Sequence, residues 1–180
     1  NCPEGFARAV IAEMAARTGF PFTEAVNHFE AQAAKDAVVN ASGALKTIAQ
    51  SLFKIANDLR WLASGPATGI GEIRLPALQP GSSIMPGKVN PVIPEVVNQI
   101  AFQVIGNDLT ITMAAEAGQL QLNVMEPVIT FNLFESLDML TASVKTLSDR
   151  CIRGITANAD RCREVVEGSI VFGVARGPVL

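Results

Sequence analysis

The chain has 180 residues, of which 49% are hydrophobic, and a formal net charge of −3. This length predicts one globular unit with a buried core, and the absence of tyrosine and of any basic block argues against a nucleic-acid-binding protein. No apolar run reaches membrane-spanning length and the N-terminus lacks a signal-peptide pattern, so we expect a cytoplasmic protein that is not embedded in a membrane.

Hydrophobic periodicity predicts helix through most of the chain. A short helix is expected from Cys2 to about Arg17, closed by Gly19 and Pro21. The next helix is expected from about Thr23 to Ser64, because that segment contains no proline and Gly65-Pro66 stops it. Its apolar positions advance by alternating steps of four and three: Ala41, Leu45, Ile48, Leu52, Ile55, Leu59 and Leu62. Such a helix is about 60 Å long and needs partners along its length, which predicts a bundle between subunits.

Residues 65–87 break the helical pattern, and the apolar pair Ile73 and Leu75 suggests a short strand there. Long helices are predicted over residues 92–117 and 127–149, with Pro94 in the first turn of the former, and a shorter one over residues 158–167. No further strand and no internal repeat is predicted. The fold class is therefore all-α, a bundle of long helices packed side by side.

The cysteines and the histidine give no signal for a metal or a cofactor. Cys2, Cys151 and Cys162 are irregularly spaced and odd in number, which favours free thiols over disulfides or a zinc site. His28 lies near the start of a helical pattern, so a structural role is favoured over catalysis. We expect no metal and no cofactor.

The loop of residues 81–91 carries the strongest chemical signal. It reads Gly-Ser-Ser-Ile-Met-Pro-Gly-Lys-Val-Asn-Pro and combines two hydroxyls (Ser82, Ser83) with a cation (Lys88) and an amide (Asn90). Glycines allow the backbone to approach a ligand closely, and the prolines keep helices out of the loop. This set suits a small anionic substrate; a solvated connector is the alternative.

This loop resembles the signature loop of the fumarase/aspartase superfamily. Residues 54–60, 64–66 and 119–128 resemble the helices that flank it in that family, and the resemblance extends from about Asn1 to Ile170. It implies the family's long-helix bundle, a lyase acting on a small dicarboxylate without a cofactor, and a homotetramer whose active sites combine loops from three subunits.

The resemblance also implies roles for individual residues. Ser82 takes the position of the catalytic base, and Ser83, Lys88, Val89 and Asn90 take substrate-binding positions. Glu95 takes the position of the carboxylate that pairs with a histidine from an upstream segment. Two of these residues have a purely structural alternative. Ser82 could cap a turn, and Glu95 could complement the dipole of its helix.

The expected chemistry removes a weakly acidic proton next to a carboxylate, so the site must stabilise the aci-carboxylate dianion that forms. Lys88 and Asn90 are suitable donors for that charge. A serine base requires backbone N–H groups and a nearby cation to stabilise its alkoxide in a closed, dry pocket. A glycine-rich flap that folds over the substrate would supply both the donors and the closure.

The family's histidine and its Thr/Ser/Asn substrate loops belong to segments before the point where this sequence begins, which predicts a fragment. Two departures from the family pattern are also present. Ala67 stands where the family has arginine, and residues 171–180 do not match, as a frameshift or truncation would produce. We therefore expect residues 1–150 to be part of a central helical domain that carries the substrate loop. Residues 151–180 would begin a truncated or divergent C-terminal segment, and the chain would be a fragment.

The family members differ in substrate, and the chain combines features of two of them. Residues 28–36 and the helix around Lys54 look fumarase-like, whereas residues 91–99 and 112–127, which flank the loop, look aspartase-like. The flanking segments favour ammonia release from aspartate, with hydration of fumarate as the alternative. A catalytically silent helical module that only assembles is the alternative from another class.

Overall fold

The computed structural model describes residues 2–169, which form three long helices with shorter elements at either end. One pair of short antiparallel strands accompanies the helices, with Ile73 opposite Ala157 and Arg74 opposite Thr156. The elements in chain order are α1 (Phe6–Thr18), α2 (His28–Ala33), α3 (Asp36–Leu62), β1 (Ile73–Arg74), α4 (Val92–Glu116), α5 (Glu126–Arg150), a 3₁₀ turn (Ile152–Gly154), β2 (Thr156–Ala157) and α6 (Ala159–Glu167).

The core lies where α4 packs between α3 and α5. The buried row of α3 consists of small residues seven apart, Ser42, Ala49 and Ala56, which let the neighbouring helices approach closely. Each alanine anchors an apolar cluster: Ala49 with Ala101, Val104 and Leu140, and Ala56 with Val97, Leu147 and Cys151. The expected all-α bundle of long helices is confirmed.

The prediction that an apolar stripe on α3 is buried is correct for only one side of that stripe. Leu45, Leu52 and Leu59 are half-buried and pack against the core clusters. Ala41, Ile48 and Ile55 are exposed, because the small row centred on Ala49 faces α4 and α5 in their place. The buried face of α3 is therefore rotated about the helix axis from the predicted one. The side that carries Ile48 and Ile55 remains exposed in the single chain.

Polar groups inside the bundle are hydrogen-bonded between helices. Asp108 accepts hydrogen bonds from Ser42 Oγ at 2.8 Å and from Lys46 Nζ at 2.5 Å. Asn107 Nδ2 donates to Glu135 Oε2 at 2.9 Å and to Ser136 Oγ at 3.1 Å. These contacts tie α4 to α3 on one side and to α5 on the other.

The helices predicted over residues 92–117, 127–149 and 158–167 are confirmed to within one residue at each end. The single helix predicted over residues 23–64 is wrong, because α2 and α3 are separated at Ala34, which is extended with ψ 138°. Contacts outside the segment cause the break: Lys35 Nζ pairs with Glu126 of α5, and Gln32 O accepts from Asn123 N at 3.3 Å.

The short elements show three smaller differences from expectation. The first helix begins at Phe6 rather than Cys2, because Gly5 has a left-handed φ of 80°, but it ends before Gly19 as predicted. The strand expected near Ile73 is present. The prediction of no other strand is wrong, since residues 156–157 pair with it.

None of the described helices is both long enough and apolar enough to cross a membrane. Within residues 2–169, no three histidine, cysteine or acidic side chains are grouped in a way that could hold a metal ion. The three cysteines are free thiols. The mismatched residues 171–180 lie outside the described part of the chain.

Candidate functional site

A cleft of about 1130 Å³ lies where the end of α3, the strand pair, the loop of residues 81–91 and the start of α4 meet. Its lining contains four cationic side chains and one carboxylate, Glu95. The cations are Arg60, Arg74, Lys88 and Arg161. This balance of charge suits a small anionic ligand.

The loop of residues 81–91 is closed at its base and open at its tip. Gly81 N donates to Lys88 O at 2.8 Å, and Asn90 Nδ2 donates to Gly81 O at 3.3 Å. A Cβ at position 81 would lie 2.7 Å from Lys88 O, so glycine is required for this closure. Ile84, at the tip, is 87% exposed. The loop therefore has the construction of a flap, with a fixed base and a projecting tip.

Ser82 is half-buried inside the base of this loop. Its Oγ accepts hydrogen bonds from the backbone N–H groups of Ile84 and Met85, each at 3.1 Å. The same two bonds are those of a serine that caps a turn and those that would stabilise an alkoxide. The assignment of Ser82 as the base stays a prediction.

Lys88, Val89 and Asn90 all line the cleft, as the sequence predicts for substrate-binding residues. Lys88 is exposed and follows Gly87, whose left-handed φ of 79° turns the chain back toward the base of the loop. Asn90 is half-buried, and its backbone carbonyl accepts from Val92 N at 2.9 Å at the entry to α4. Lys88 and Asn90 thus both line the cleft at the junction of loop and helix, where the Asn90 amide donates one hydrogen bond to Gly81 O.

Glu95 lies in the first turn of α4 and lines the same cleft. Its backbone N–H donates to Pro91 O at 3.1 Å, and Pro94 beside it is buried. The start of α4 therefore places Glu95 in the lining of the same cleft as Lys88 and Asn90. A position in the first turn also complements the helix dipole, so the structure leaves both interpretations of Glu95 open.

The predicted residues are not all brought into one surface. Ser82 and Ser83 belong to the loop but not to the lining of the cleft, and Ser83 is exposed. His28, on α2, does not line the cleft either, and its imidazole lies 3.2 Å from the exposed Glu24 carboxylate. The closing motion expected of the flap would be needed to carry the serines over the cleft.

The sequence did not identify the three arginines of the cleft as site residues. Arg60 lies at the end of α3, where its Nη1 is 3.2 Å from the side-chain amide of Asn98 on α4. Arg74 and Arg161 come from β1 and α6, which are far apart in sequence and are brought together by the strand pair and by hydrogen bonds from Asn158 and Arg161 to residues 70–72. A charged residue in the predicted strand was the one available signal for Arg74.

Comparison with known proteins places the chain among lyases. The model of the Lyase family matches residues 1–106. The chain is 54% identical over 180 residues to an aspartate ammonia-lyase of Pseudomonas aeruginosa, covering all of this chain and 38% of that protein. It is also 54% identical over 170 residues to a class II fumarate hydratase of Mycobacterium tuberculosis, covering 94% of this chain and 36% of that protein.

Solved structures agree with this placement. The crystal structure of a fumarate lyase:delta crystallin from Brucella melitensis matches with a TM-score of 0.92 and 53% identity, covering all of this chain and 39% of that one. The class II fumarase of Schistosoma mansoni matches with a TM-score of 0.87 and 38% identity, covering 94% of this chain and 38% of that one.

The chain thus spans about two fifths or less of the length of the proteins that it matches. The family model and the relatives together cover the bundle, the loop of residues 81–91 and the start of α4. The resemblance seen in the loop is confirmed, and the chain belongs to the lyase family that contains aspartate ammonia-lyases and class II fumarases.

Proposed function

We propose that this chain carries the substrate loop of an ammonia-lyase that converts L-aspartate to fumarate and ammonia. One observation carries the proposal: the loop holds Ser82 Oγ against two backbone N–H groups, while its C-terminal end presents Lys88 and Asn90 to a cationic cleft. A base, a cation and an amide are three of the groups that the reaction needs.

In the proposed reaction, the Ser82 alkoxide removes a proton from the carbon next to the β-carboxylate of aspartate. The electron pair of that C–H bond moves into the carboxylate, which becomes an aci-carboxylate dianion. Its collapse forms the carbon–carbon double bond and breaks the C–N bond, which releases ammonia. The two N–H groups on Ser82 favour the alkoxide because they donate more strongly to a charged oxygen.

Lys88 and Asn90 are proposed to hold the carboxylate that receives this charge. Both interact with the substrate carboxylate, but the second negative charge of the dianion strengthens their hydrogen bonds. The transition state is stabilised more than the ground state, which is the condition for faster catalysis. A single such donor is worth about 3–4 kcal/mol in other enzymes.

Glu95 is proposed to orient a histidine supplied by another segment of the whole protein. His28, the single histidine of this chain, does not line the cleft, so that group must come from elsewhere. Three contributing segments are expected to meet in a homotetramer, and the apolar side chains left uncovered on α3, α4 and α5 support such an assembly. A cytoplasmic location remains part of the same proposal.

Fumarate hydratase is the second candidate, because a relative of that name is as similar to the chain as an aspartate ammonia-lyase is. The same base and the same aci-carboxylate serve both reactions; they differ in whether ammonia or water leaves. A silent assembly module is the third candidate, since the site is incomplete within the described residues.

A pair of chimeric enzymes tests the proposal. Residues 1–169 replace the matching segment in the aspartate ammonia-lyase of Pseudomonas aeruginosa and, separately, in the fumarate hydratase of Mycobacterium tuberculosis. Ammonia release and fumarate hydration are then measured for both chimeras beside the unaltered enzymes. We expect the first chimera to release ammonia within about tenfold of its parent, which corresponds to about 1.4 kcal/mol in activation free energy.

The outcomes separate the three candidates. An active first chimera with a poor second one supports the ammonia-lyase. An active fumarate hydratase chimera with a poor ammonia-lyase chimera would identify the chain as part of a hydratase instead. Two chimeras that assemble normally but turn over neither substrate favour the silent module, and Ser82→Ala in each chimera provides the inactive reference.

A further inference from the structure

Two arginines line the side of the cleft formed by the strand pair and α6, on elements other than those that carry the residues assigned to the reaction. Arg74 comes from β1, and Arg161 lies in the first turn of α6; both line the cleft. The loop residues and Glu95 lie on other elements of its wall. This part of the cleft is not used by the proposed reaction.

Asn158, just before α6, fixes the position of Arg74. Its Oδ1 accepts from Arg74 Nη2 at 3.2 Å, and its Nδ2 donates to Gly71 O at 2.8 Å. Its backbone N–H donates to Glu72 O at 2.8 Å. Three hydrogen bonds thus hold the asparagine, and through it one edge of the Arg74 guanidinium.

Arg161 is held beside the same asparagine, three residues further along. Its Nε donates to Ile70 O at 3.2 Å, and a Cβ on Gly71 would lie 4.0 Å from its Cγ. One terminal nitrogen, Nη1, pairs with Glu164 at 2.9 Å, but that carboxylate is 72% exposed. Both guanidinium groups are therefore anchored in one small region. Arg74 is bound to the Asn158 side chain, and Arg161 is bound to the carbonyl of Ile70, next to the Gly71 carbonyl that Asn158 binds.

The partners of these arginines are mostly neutral. Carbonyl and amide oxygens orient the two guanidinium groups without cancelling their charge. Arg74 forms no ion pair with a carboxylate of the described residues, and the exposed pair of Arg161 is worth little in water. Two cations on the same side of a cleft attract an anion more strongly than either does alone.

We propose that Arg74 and Arg161 form an oxyanion subsite that binds a carboxylate or phosphate group independently of the reaction site. A planar guanidinium donates two parallel hydrogen bonds to such a group, which is why paired arginines suit it. The subsite uses no residue of the proposed reaction, so it stands or fails separately from the proposed function.

Calorimetric titration of the full chain at low ionic strength tests this subsite, with inorganic phosphate and succinate as separate probes. We expect Arg74→Gln and Arg161→Gln each to weaken binding by about tenfold. Arg163→Gln, also on α6 but not lining the cleft, is the matched control and should bind as the unaltered chain does. Glu164→Gln should bind roughly threefold more tightly, because it frees Arg161 from its exposed partner.

The Lys88→Ala variant shows whether the anion binds at the arginine subsite or at the reaction site. Binding that survives Lys88→Ala but is lost in the Arg74 and Arg161 variants supports the subsite, and the two probes show whether it prefers phosphate or carboxylate. No heat of binding to either probe, or binding that depends on Lys88 and not on the two arginines, overturns it. Far-UV circular dichroism of each variant confirms that its helices are intact.

Discussion

A serine hydroxyl removes a carbon-bound proton only if its own alkoxide is strongly stabilised, and the surroundings of Ser82 provide part of that stabilisation. Two N–H groups donate to its Oγ, and Lys88 stands at the other end of the same closed loop. The adjacent Ser83 is exposed, although the two serines are identical in chemistry. The two serines differ in environment and not in residue type, and this difference is the reason that Ser82 is the one proposed as the base.

The first prediction is that Ser82→Ala in the ammonia-lyase chimera lowers kcat by several orders of magnitude and leaves substrate binding nearly unchanged. The base is lost, but Lys88 and Asn90 still hold the carboxylate. Steady-state kinetics of Ser82→Ala provides the measurement. Ser83→Ala, which removes a predicted substrate-binding hydroxyl and not the base, should retain far more of kcat. Near-parental kcat in Ser82→Ala, with activity abolished in Ser83→Ala, would move the base by one residue.

The second prediction orders the remaining site residues. Lys88→Ala should reduce both binding and kcat, because the cation attracts the ground-state carboxylate and attracts the dianion more strongly. Glu95→Gln should be milder, since that carboxylate acts only through a partner histidine. Measured losses in kcat should follow the order Ser82, Lys88, Glu95. A Glu95 variant as inactive as Ser82→Ala would contradict the indirect role.

The third prediction concerns Cys151, which is 1% exposed and packs against Ala56, Val97 and Leu147. Burial raises the pKa of its thiol because the thiolate is poorly solvated there. The folded chain therefore keeps this proton at a pH where the unfolded chain releases it. The resulting stability is present below the ordinary thiol pKa of about 8.5 and is lost as the pH rises above it.

Urea unfolding at pH 7.5 and pH 9.5 measures this effect. The unaltered chain should lose more free energy of unfolding between the two pH values than Cys151→Ala does. Cys2→Ala is the control and should behave as the unaltered chain, because Cys2 is exposed. Equal pH dependence in Cys151→Ala and the unaltered chain would exclude a contribution from this thiol.

At the scale of single elements, packing of α3 depends on the small size of its buried row. The fourth prediction is that Ala49→Leu destabilises the chain by about 1–3 kcal/mol, because the larger side chain must displace Ala101, Val104 or Leu140. Ala44→Leu, exposed on the same helix, should change stability by less than about 0.5 kcal/mol. Chemical denaturation of both variants checks this, and equal stability would refute close packing at Ala49.

The elements that the sequence predicts best are those whose ends carry local signals. The ends of α4 and α5 are marked by Pro94, Gly118 and Pro127, and both helices were predicted to within one residue. The break at Ala34 is marked by no glycine or proline. It arises because Lys35 and Gln32 are held by groups more than 90 residues away. Long-range contacts of this kind leave no local pattern.

The candidate site shows the same division. Loop residues 82–90 could be identified because hydroxyls, a cation and an amide stand together in one glycine-rich run. The cleft arginines could not, since Arg74 and Arg161 lie in distant parts of the sequence and line one cleft only in the folded chain. Buried small residues on α3 were also missed, because alanine and serine give a weak hydrophobic signal beside the leucines next to them.

At the scale of the whole molecule, the described part of the chain leaves large apolar side chains in solvent. Phe102, Leu109 and Met113 are each more than half exposed and form one stripe on α4, turned away from its buried residues. Stripes of this size mark subunit contacts in soluble proteins. Together with the exposed edge of α3, this stripe provides the surface on which the proposed tetramer would assemble.

The fifth prediction joins that assembly to activity: the isolated 180-residue chain should have no measurable lyase turnover. Its cleft holds a cation, an amide and a carboxylate, but the histidine that Glu95 would orient must come from outside the described part of the cleft. Loss of any member of a cooperating catalytic set removes most of the rate.

The measurement is a spectrophotometric assay of fumarate formed from aspartate and of fumarate consumed in water. The chimera assayed at the same concentration is the positive control. Turnover by the isolated chain that Ser82→Ala abolishes would show that the 180 residues contain a complete site, and the composite site proposed above would then be wrong.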